Sequence, residues 1–456
     1  MTASPPLWAP RAWLPGGWRE RVLLQANAQG VWDQITPDTE APAGATVLPN
    51  PVLPGLVDAH SHAFQRAFVG LAERLVGAQD DFWSWRDRMY GVALRITPEQ
   101  LHAVACHLYG ELLQGGYTQV CEFHYLHHDP EGKPYADTLA MSRALAQAAS
   151  DSGMGLTLLP VLYQRAGFGQ SGLREDQRRF ATGVDEVLAL RDGLRALRLP
   201  HTSAGVAIHS LRAAAPDSML ALVQALNGDP APIHIHIAEQ TGEVQDCLAA
   251  TGARPIEWLT QEMPLDARWQ LVHATHATPQ EIQAVSATGA GVVLCPGTEA
   301  NLGDGLCDLP GWLAAGVPLA LGSDSQVIRS WPEELRWLEY GQRLNLRRRN
   351  VAATWPAAPA TASHLLSRMW PGGAQAAGLS PWGLRPGARA DLLLLNMQDA
   401  ALLGLPHGRE LDGLVFAAPT RPFAGVMVAG RWITPCVETP ARRFEASLRE
   451  LWQAHA

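Results

Sequence analysis

The sequence predicts an α/β protein in which a (β/α)8 barrel of the TIM type is joined to a small β-sandwich built from both ends of the chain. From residue 53 to about 325, eight short apolar runs alternate with longer helical stretches, which is typical of repeated βα units. The segments 1–52 and 386–436 instead show strand-like runs without helices. We therefore expect a sandwich domain from those two segments, a barrel over 53–385 and a terminal helix over 437–456.

Each of the eight runs has the length and apolar content of a barrel strand. In chain order they span 55–62, 117–125, 155–163, 205–212, 232–239, 269–276, 291–301 and 317–325. Helix signals separate them; in the segment 97–116, Thr97 and Gln100 can form a capping box and Pro98 suits the first turn. Polar residues gather at the C-terminal ends of the runs, where a barrel of this kind carries its active site.

The composition is that of a folded globular protein and argues against nucleic acid or a membrane as a partner. The chain has 456 residues, of which 47% are hydrophobic, enough for a large core. Acidic residues outnumber basic ones by 44 to 35, for a net charge of -9, and no basic stripe follows any segment, so nucleic acid is not expected as a partner. No window reaches the roughly 18 apolar residues of a membrane span, and the first residues lack the pattern of a signal peptide. We expect a soluble cytoplasmic protein.

The numbers and positions of lysine and cysteine argue against a lysine nucleophile, a phosphate-binding loop and a disulfide framework. Lys133 is the sole lysine, and no phosphate-binding loop or other sign of a lysine nucleophile surrounds it. The six cysteines contain no C-x-x-C pair and are spread along the chain, which argues against a disulfide framework or a cysteine zinc site. Free thiols are the expected state.

Histidines and one aspartate end several of the runs. His60 and His62 lie two apart, so strand alternation directs both imidazoles into the barrel mouth, although this spacing alone is weak evidence because buried structural histidines are common. His236, His273 and Asp324 end the fifth, sixth and eighth runs. Imidazoles converging with one carboxylate predict a catalytic metal site, with zinc as the expected ion and another divalent metal as the alternative.

Glu239 follows His236 in the pattern H-x-x-E. That position places a carboxylate just beyond a metal ligand, where a proton shuttle between water and substrate is needed. The alternative is an ordinary surface glutamate at a strand-to-helix junction.

Together these motifs resemble the amidohydrolase superfamily. The resemblance rests on H-x-H in the first run, histidine and x-x-Glu in the fifth, histidine in the sixth and aspartate in the eighth, and it covers the whole chain. Superfamily members with two metals bridge them with a lysine from the fourth strand, and the run 205–212 contains none. The resemblance implies one metal ion per chain and a member of the deaminase branch.

Longer segments are similar to members of that branch that release ammonia from N-formimino-L-glutamate, a linear amidine, in histidine degradation. The segments are HSHAFQRA (60–67), EFHYLHHD (122–129), HSLRA (209–213), HIHIAEQ (234–240), LVHATHA (271–277), TEANLGDG (298–305) and EELRWLEYGQRL (333–344). The product implied beside ammonia is N-formyl-L-glutamate. The sequence departs from the pattern at Gln326, where the resemblance implies a histidine beside Asp324.

The resemblance also implies residue roles. Zinc would be held by His60, His62, His236 and Asp324, and protons would be moved by Glu239, His273 and Asp324. Substrate would contact Gln65, Arg86, Tyr125, His209 and Arg212. Guanidinium groups suit the two carboxylates of a glutamate moiety, and Arg86 is expected in an aromatic loop, residues 80–90.

Two other functions remain open at this level. A deaminase of an aromatic base such as guanine would use the same barrel, but it would be expected to have a neutral stacking pocket. A metal-free barrel could serve as a binding protein, although it would have no need of six converging polar side chains. Barrels of this type often pair, so a homodimer also remains open.

Overall fold

The computed structural model describes residues 5–75, 81–418, 423–434 and 438–453. Its strands are β1 (Leu7–Leu14), β2 (Gly17–Ala26), β3 (Trp32–Thr36), β4 (Thr46–Val47), β5 (Val52–Leu53), β6 (Leu56–Ser61), β7 (Tyr117–His124), β8 (Gly155–Leu162), β9 (Thr202–Ala204), β10 (Val206–Ile208), β11 (Ile233–Ile237), β12 (Trp269–His273), β13 (Gly291–Leu294), β14 (Leu319–Leu321), β15 (Leu392–Leu395), β16 (Phe423–Val428) and β17 (Arg431–Trp432).

Helices surround the strands. They are α1 (Phe82–Ala93), α2 (Pro98–Gln114), α3 (Ala140–Ser152), α4 (Val184–Ala196), α5 (Pro216–Ala225), α6 (Thr241–Thr251), α7 (Pro255–Glu262), α8 (Pro279–Ser286), α9 (Pro296–Leu302), α10 (Leu309–Ala314), α11 (Trp331–Leu346), α12 (Thr361–Ala376), α13 (Glu410–Phe416) and α14 (Glu438–Gln453), with short 3-10 helices at Ala63–Phe68 and Glu175–Phe180. None of the helices described is long and apolar enough to cross a membrane.

Eight parallel strands close into a barrel. Their order is β6, β7, β8, β10, β11, β12, β13 and β14, and β14 pairs back onto β6 to close the ring. β9 pairs with β8 just before the chain enters β10. The strands are apolar and buried almost throughout, as expected for a parallel sheet covered by helices on its outside. The predicted barrel is confirmed.

Both ends of the chain build a second sheet. Its strand order is β17, β16, β15, β5, β1, β2 and β3, with β4 paired to β1. The two ends of the chain meet where β15 pairs with β5, and Leu393 lies opposite Leu53 in this pairing. A separate core that includes Leu24, Trp32 and Leu392 lies under this sheet. The predicted separate β unit from both termini is therefore confirmed.

Three local predictions differ from the structure. The segment 386–436 was expected to hold strands without helices, but this is wrong at α13 (Glu410–Phe416). The run 291–301 is a strand only as far as Leu294, because Pro296 starts helix α9, and proline suits a first helical turn. The aromatic segment 80–90 was expected to be a loop, but this is wrong from Phe82 onward, where α1 begins; residue 80 lies outside the described residues. Asp81 caps α1 by accepting hydrogen bonds from the backbone of Trp83 (2.9 Å) and Ser84 (3.1 Å).

Arg179 ties α1 to the barrel. Its guanidinium is fully buried and donates to the carbonyl oxygens of Ala93 (2.5 Å), Ile96 (3.0 Å) and His128 (2.8 Å) and to the hydroxyl of Tyr135 (3.2 Å). The end of α1 is therefore held against the loop that follows β7.

We expect Arg179→Met to lower the free energy of unfolding by about 2–4 kcal/mol, because it leaves buried carbonyl oxygens without donors. Urea unfolding measures this. Arg143→Met, at a half-exposed ion pair with Asp137, is the control and should change the unfolding free energy by less than about 1 kcal/mol. Equal losses in both variants would contradict the prediction.

Candidate active site

The candidate active site lies at the C-terminal mouth of the barrel. His60 lies in β6 and His62 follows it directly, while His236 lies in β11 and His273 ends β12. Asp324 comes just after β14. His273 and Asp324 have φ angles of 69° and 50°, in the left-handed region, so the chain turns sharply as it leaves these two strands.

The four predicted metal ligands lie close together. His60 Nε2 is 3.0 Å from His236 Nε2 and 3.3 Å from Asp324 Oδ1. His62 Nε2 is 3.4 Å from the same oxygen. Ligand atoms held at about 2.0–2.1 Å from one tetrahedral ion are themselves about 3.0–3.5 Å apart, and these three distances match that spacing. The ligand atoms of His60, His62 and Asp324 lie within 4.8 Å of one another, and those of His60, His236 and His273 form a second such group that shares His60.

Protonation also suits metal binding. Burial lowers the pKa of His60 to about 3 and the pKa of His236 well below its ordinary value, so both imidazoles are neutral, the form that binds metals. His62 Nδ1 lies 2.8 Å from the carbonyl oxygen of Phe123, to which it can donate, leaving Nε2 free for a metal. Burial would raise the pKa of Asp324, yet the neighbouring imidazoles hold it well below its usual range.

Glu239 and His273 lie beside this cluster. His273 Nε2 is 3.8 Å from Glu239 Oε1 and 3.9 Å from Asp324 Oδ2. Burial raises the pKa of Glu239 to about 7, with the charge of Asp324 adding to the rise. Burial alone would lower the pKa of His273, but the carboxylates around it raise that pKa to about 10. Glu239 can therefore exchange a proton near neutral pH, while His273 keeps its proton there.

A buried polar network fixes the strand ends beneath the cluster. Gln326 is fully buried; its Nε2 donates to Ser61 Oγ (3.0 Å) and to the carbonyl oxygen of Asp324 (2.8 Å). Its Oε1 accepts from Ser323 Oγ at 3.1 Å. The glutamine at this position thus holds the backbone of Asp324 directly, despite the departure from the pattern implied by the resemblance.

Arg86 and Arg212 both lie over the ring of Trp83. The guanidinium carbon of Arg86 lies 4.6 Å from the ring centroid of Trp83 and that of Arg212 lies 5.2 Å from it. Among the residues described, no carboxylate forms an ion pair with either arginine, and Arg86 Nε is buried without a hydrogen-bond partner. Both line the same pocket as His236 and Asp324.

The other predicted substrate contacts line this pocket as well. Gln65 Nε2 donates to the hydroxyl of Tyr125 at 3.2 Å, and Gln65 Oε1 is buried without a partner. The ring of His209 lies 4.3 Å from Tyr163 and 5.1 Å from His236. Every predicted site residue except His60 thus lines one pocket, and His60 is fully buried against His236 and Asp324.

Sequence reasoning missed three residues that support the site. Glu299 Oε1 lies 3.4 Å from His273 Nδ1, so it orients that imidazole. Glu243 accepts from the backbone of Ala238 (3.2 Å) and Glu239 (3.0 Å), which fixes the turn that carries the proposed shuttle. Trp83 lies in the aromatic segment 80–90, to which the sequence analysis gave no contact with the arginines. Glu299 lies in the TEANLGDG segment, whose similarity to the family could have marked it as a site residue.

Residues 52–433 match the amidohydrolase family. This chain belongs to the amidohydrolase family. It is 47% identical to formimidoylglutamate deiminase of Pseudomonas aeruginosa over 451 residues, 98% of this chain and 99% of the relative. It is 28% identical to 8-oxoguanine deaminase of the same organism, over 84% of this chain and 81% of that relative.

Solved amidohydrolase structures share the architecture. An amidohydrolase from Brucella melitensis superposes with a TM-score of 0.92 at 41% identity, covering 98% of this chain and 100% of that one. An atrazine chlorohydrolase from Arthrobacter aurescens, complexed with zinc, superposes with a TM-score of 0.81 at 19% identity, covering 98% and 99%. The second similarity shows the fold alone.

We expect one divalent ion per chain to stay bound through dialysis and to depend on His236. His236→Ala should lower the affinity by more than the roughly 10- to 100-fold cost of losing an outer partner of a metal ligand. Elemental analysis measures the content, and His407→Ala, at an exposed histidine, is the control. Two equivalents that are both needed for turnover would contradict a mononuclear centre.

We expect Glu239→Gln to keep the metal and to lose about 10²- to 10⁴-fold in turnover, the usual contribution of a positioned acid-base group. Turnover and metal content are measured together. Glu262→Gln, exposed at the end of α7, should change neither quantity. Loss of metal with the carboxylate, or normal turnover without it, would rule out the shuttle role.

Proposed function

We propose that this amidohydrolase hydrolyses N-formimino-L-glutamate to N-formyl-L-glutamate and ammonia, with one divalent ion, expected to be zinc, held by His60, His62, His236 and Asp324. The observation that carries the proposal is the pair of guanidinium groups that face the same pocket as the ligand cluster. The relative with 47% identity, a formimidoylglutamate deiminase, supports the same assignment.

Arg86 and Arg212 form a site for an anionic substrate. No described carboxylate forms an ion pair with Arg86 or Arg212, although the charge of Arg212 opposes the rise that burial causes in the pKa values of Glu239 and Glu243. Two guanidinium groups in the pocket favour a ligand that brings further negative charge, and glutamate brings two carboxylates. An aromatic base such as guanine brings no carboxylate to pair with them.

The chain's own residues can move the protons that hydrolysis of an amidine requires. When bound, the metal ion lowers the pKa of a water towards about 7. Asp324 Oδ2 accepts a proton from the attacking water, and Glu239 passes a proton to the departing nitrogen. His273, protonated and held by Glu299, donates a hydrogen bond that positions the attacking oxygen.

The anchored end of the substrate decides which nitrogen leaves. With the glutamate carboxylates held at Arg212 and Arg86, the glutamate nitrogen stays on the arginine side of the pocket. The terminal nitrogen then faces Glu239, receives the proton and leaves as ammonia.

Ammonia release from N-formimino-L-glutamate by the purified protein tests this function, with mass spectrometry of the organic product. We expect N-formyl-L-glutamate with ammonia. Formamide with free glutamate would refute the deiminase assignment, and faster turnover of guanine than of the amidine would favour the base-deaminase alternative.

We expect Arg212→Met to cost roughly 2–5 kcal/mol in kcat/KM, the range for removing one partner of a desolvated charge pair, while metal content stays unchanged. Steady-state kinetics with N-formimino-L-glutamate measures it. The control is Arg195→Met, at an ion pair with Asp229 away from the pocket. A variant with the kcat/KM of the unmodified enzyme would refute the anchor.

Location and assembly remain predictions. The five described cysteines, at 106, 121, 247, 295 and 307, are free, while Cys436 lies outside the described residues. Free thiols are usual in reducing compartments, which supports the proposed cytoplasmic location. A homodimer stays an open prediction.

A further inference from the structure

We propose that His102, Cys106 and Asp151 form a second divalent-cation site on the outside of the barrel, separate from the catalytic cluster and not needed for turnover. Zn²⁺ is the ion that this donor set favours. The proposal rests on the arrangement of the three side chains and does not depend on the substrate assigned above.

The three residues meet because two helices pack together. His102 and Cys106 lie four residues apart in α2, one turn along the same face. Asp151 lies near the end of α3, which packs against α2 along the outside of the barrel. The site is therefore built from two well-formed helices and not from a loop, which keeps its geometry fixed.

The distances match one tetrahedral ion. Cys106 Sγ lies 3.6 Å from His102 Nε2, and His102 Nε2 lies 3.0 Å from Asp151 Oδ2. All three ligand atoms lie within 4.8 Å of one another. Bonds of about 2.3 Å to sulfur and about 2.0 Å to nitrogen and oxygen place tetrahedral ligands about 3.3–3.6 Å apart.

A neighbouring side chain fixes the carboxylate. Gln147 Nε2 donates to Asp151 Oδ1 at 2.7 Å, leaving Oδ2 directed at His102. Such an outer hydrogen bond is the usual way in which a metal-binding carboxylate is oriented.

The chemistry of the donors selects the ion. A thiolate and an imidazole are poor ligands for Mg²⁺ and Ca²⁺, and they suit Zn²⁺ and Co²⁺. Burial raises the pKa of Cys106 to about 12, and Asp151 adds to the rise, so without a cation the thiol keeps its proton and is a poor nucleophile. A bound cation would displace that proton, so affinity should rise with pH.

The fourth position of the ion would be open. The three residues border a cavity that is also lined by Thr439 and Arg443 of α14, so water can complete the coordination. Asp151 is exposed, unlike the buried ligands of the catalytic cluster, so this second ion should exchange during dialysis while the catalytic ion stays.

Cobalt spectroscopy of the dialysed, metal-containing enzyme tests the site, because a thiolate bound to Co²⁺ gives a charge-transfer band in the near ultraviolet. The proposed catalytic ligands include no thiolate, so they do not give this band. We expect added Co²⁺ to produce the band with about one equivalent per chain, and Cys106→Ser to abolish it without changing kcat/KM by more than about twofold. Cys247→Ser, at a buried thiol in α6, should keep the band.

Two further variants test the other two proposed ligands while Cys106 stays in place. His102→Ala and Asp151→Asn should each weaken Co²⁺ binding by about tenfold or more, as read from titration of the band. Absence of a band at saturating Co²⁺ in the unmodified enzyme would overturn the proposal. A band that persists in Cys106→Ser would also overturn it and would assign the thiolate to another cysteine.

Discussion

The close approach of three imidazoles and a carboxylate is the constraint on which the rest of this barrel depends. His60 Nε2 lies 3.0 Å from His236 Nε2 and 3.3 Å from Asp324 Oδ1 in a buried mouth. Burying a carboxylate is costly unless a positive charge or several donors compensate it. A cation held there would satisfy the carboxylate and the imidazoles at once, and three strands from distant parts of the chain bring these groups together.

The strand ends must be held in register for that cluster to persist, and buried carboxyl groups do this from below. Asp58 accepts from the backbone and hydroxyl of Ser323 at 2.8 and 2.5 Å, joining the first barrel strand to the last. Glu122 accepts from Ser61 Oγ at 2.7 Å, joining the first strand to the second. Burial raises the pKa of Glu122 to about 8, although the hydrogen bonds that it accepts act in the opposite direction.

The barrel and the convergence of the proposed metal ligands could be predicted from the sequence because strand alternation has a fixed period of two. His60 and His62 must face the same side, and parallel strands must end at the same face of the barrel. Strand alternation does not place Arg86, because this residue lies in helix α1. The capping residue of that helix, Asp81, was not recognised in the aromatic segment. Glu299 and Glu243 could not be placed either, because they lie in helices that begin after the strands, and strand alternation says nothing of where those helices direct their side chains.

The metal cluster and the fold do not by themselves fix the substrate, because one barrel can host many reactions and differs among them in its loops. What separates this pocket from that of a base deaminase is charge at the end away from the cluster. Arg86 and Arg212 are half-buried, line this pocket and lie over Trp83. Two guanidinium groups suit a ligand with two carboxylates. Under the proposed function, binding energy at the two arginines positions the amidine beside Glu239 and His273, which lie 3.8 Å apart.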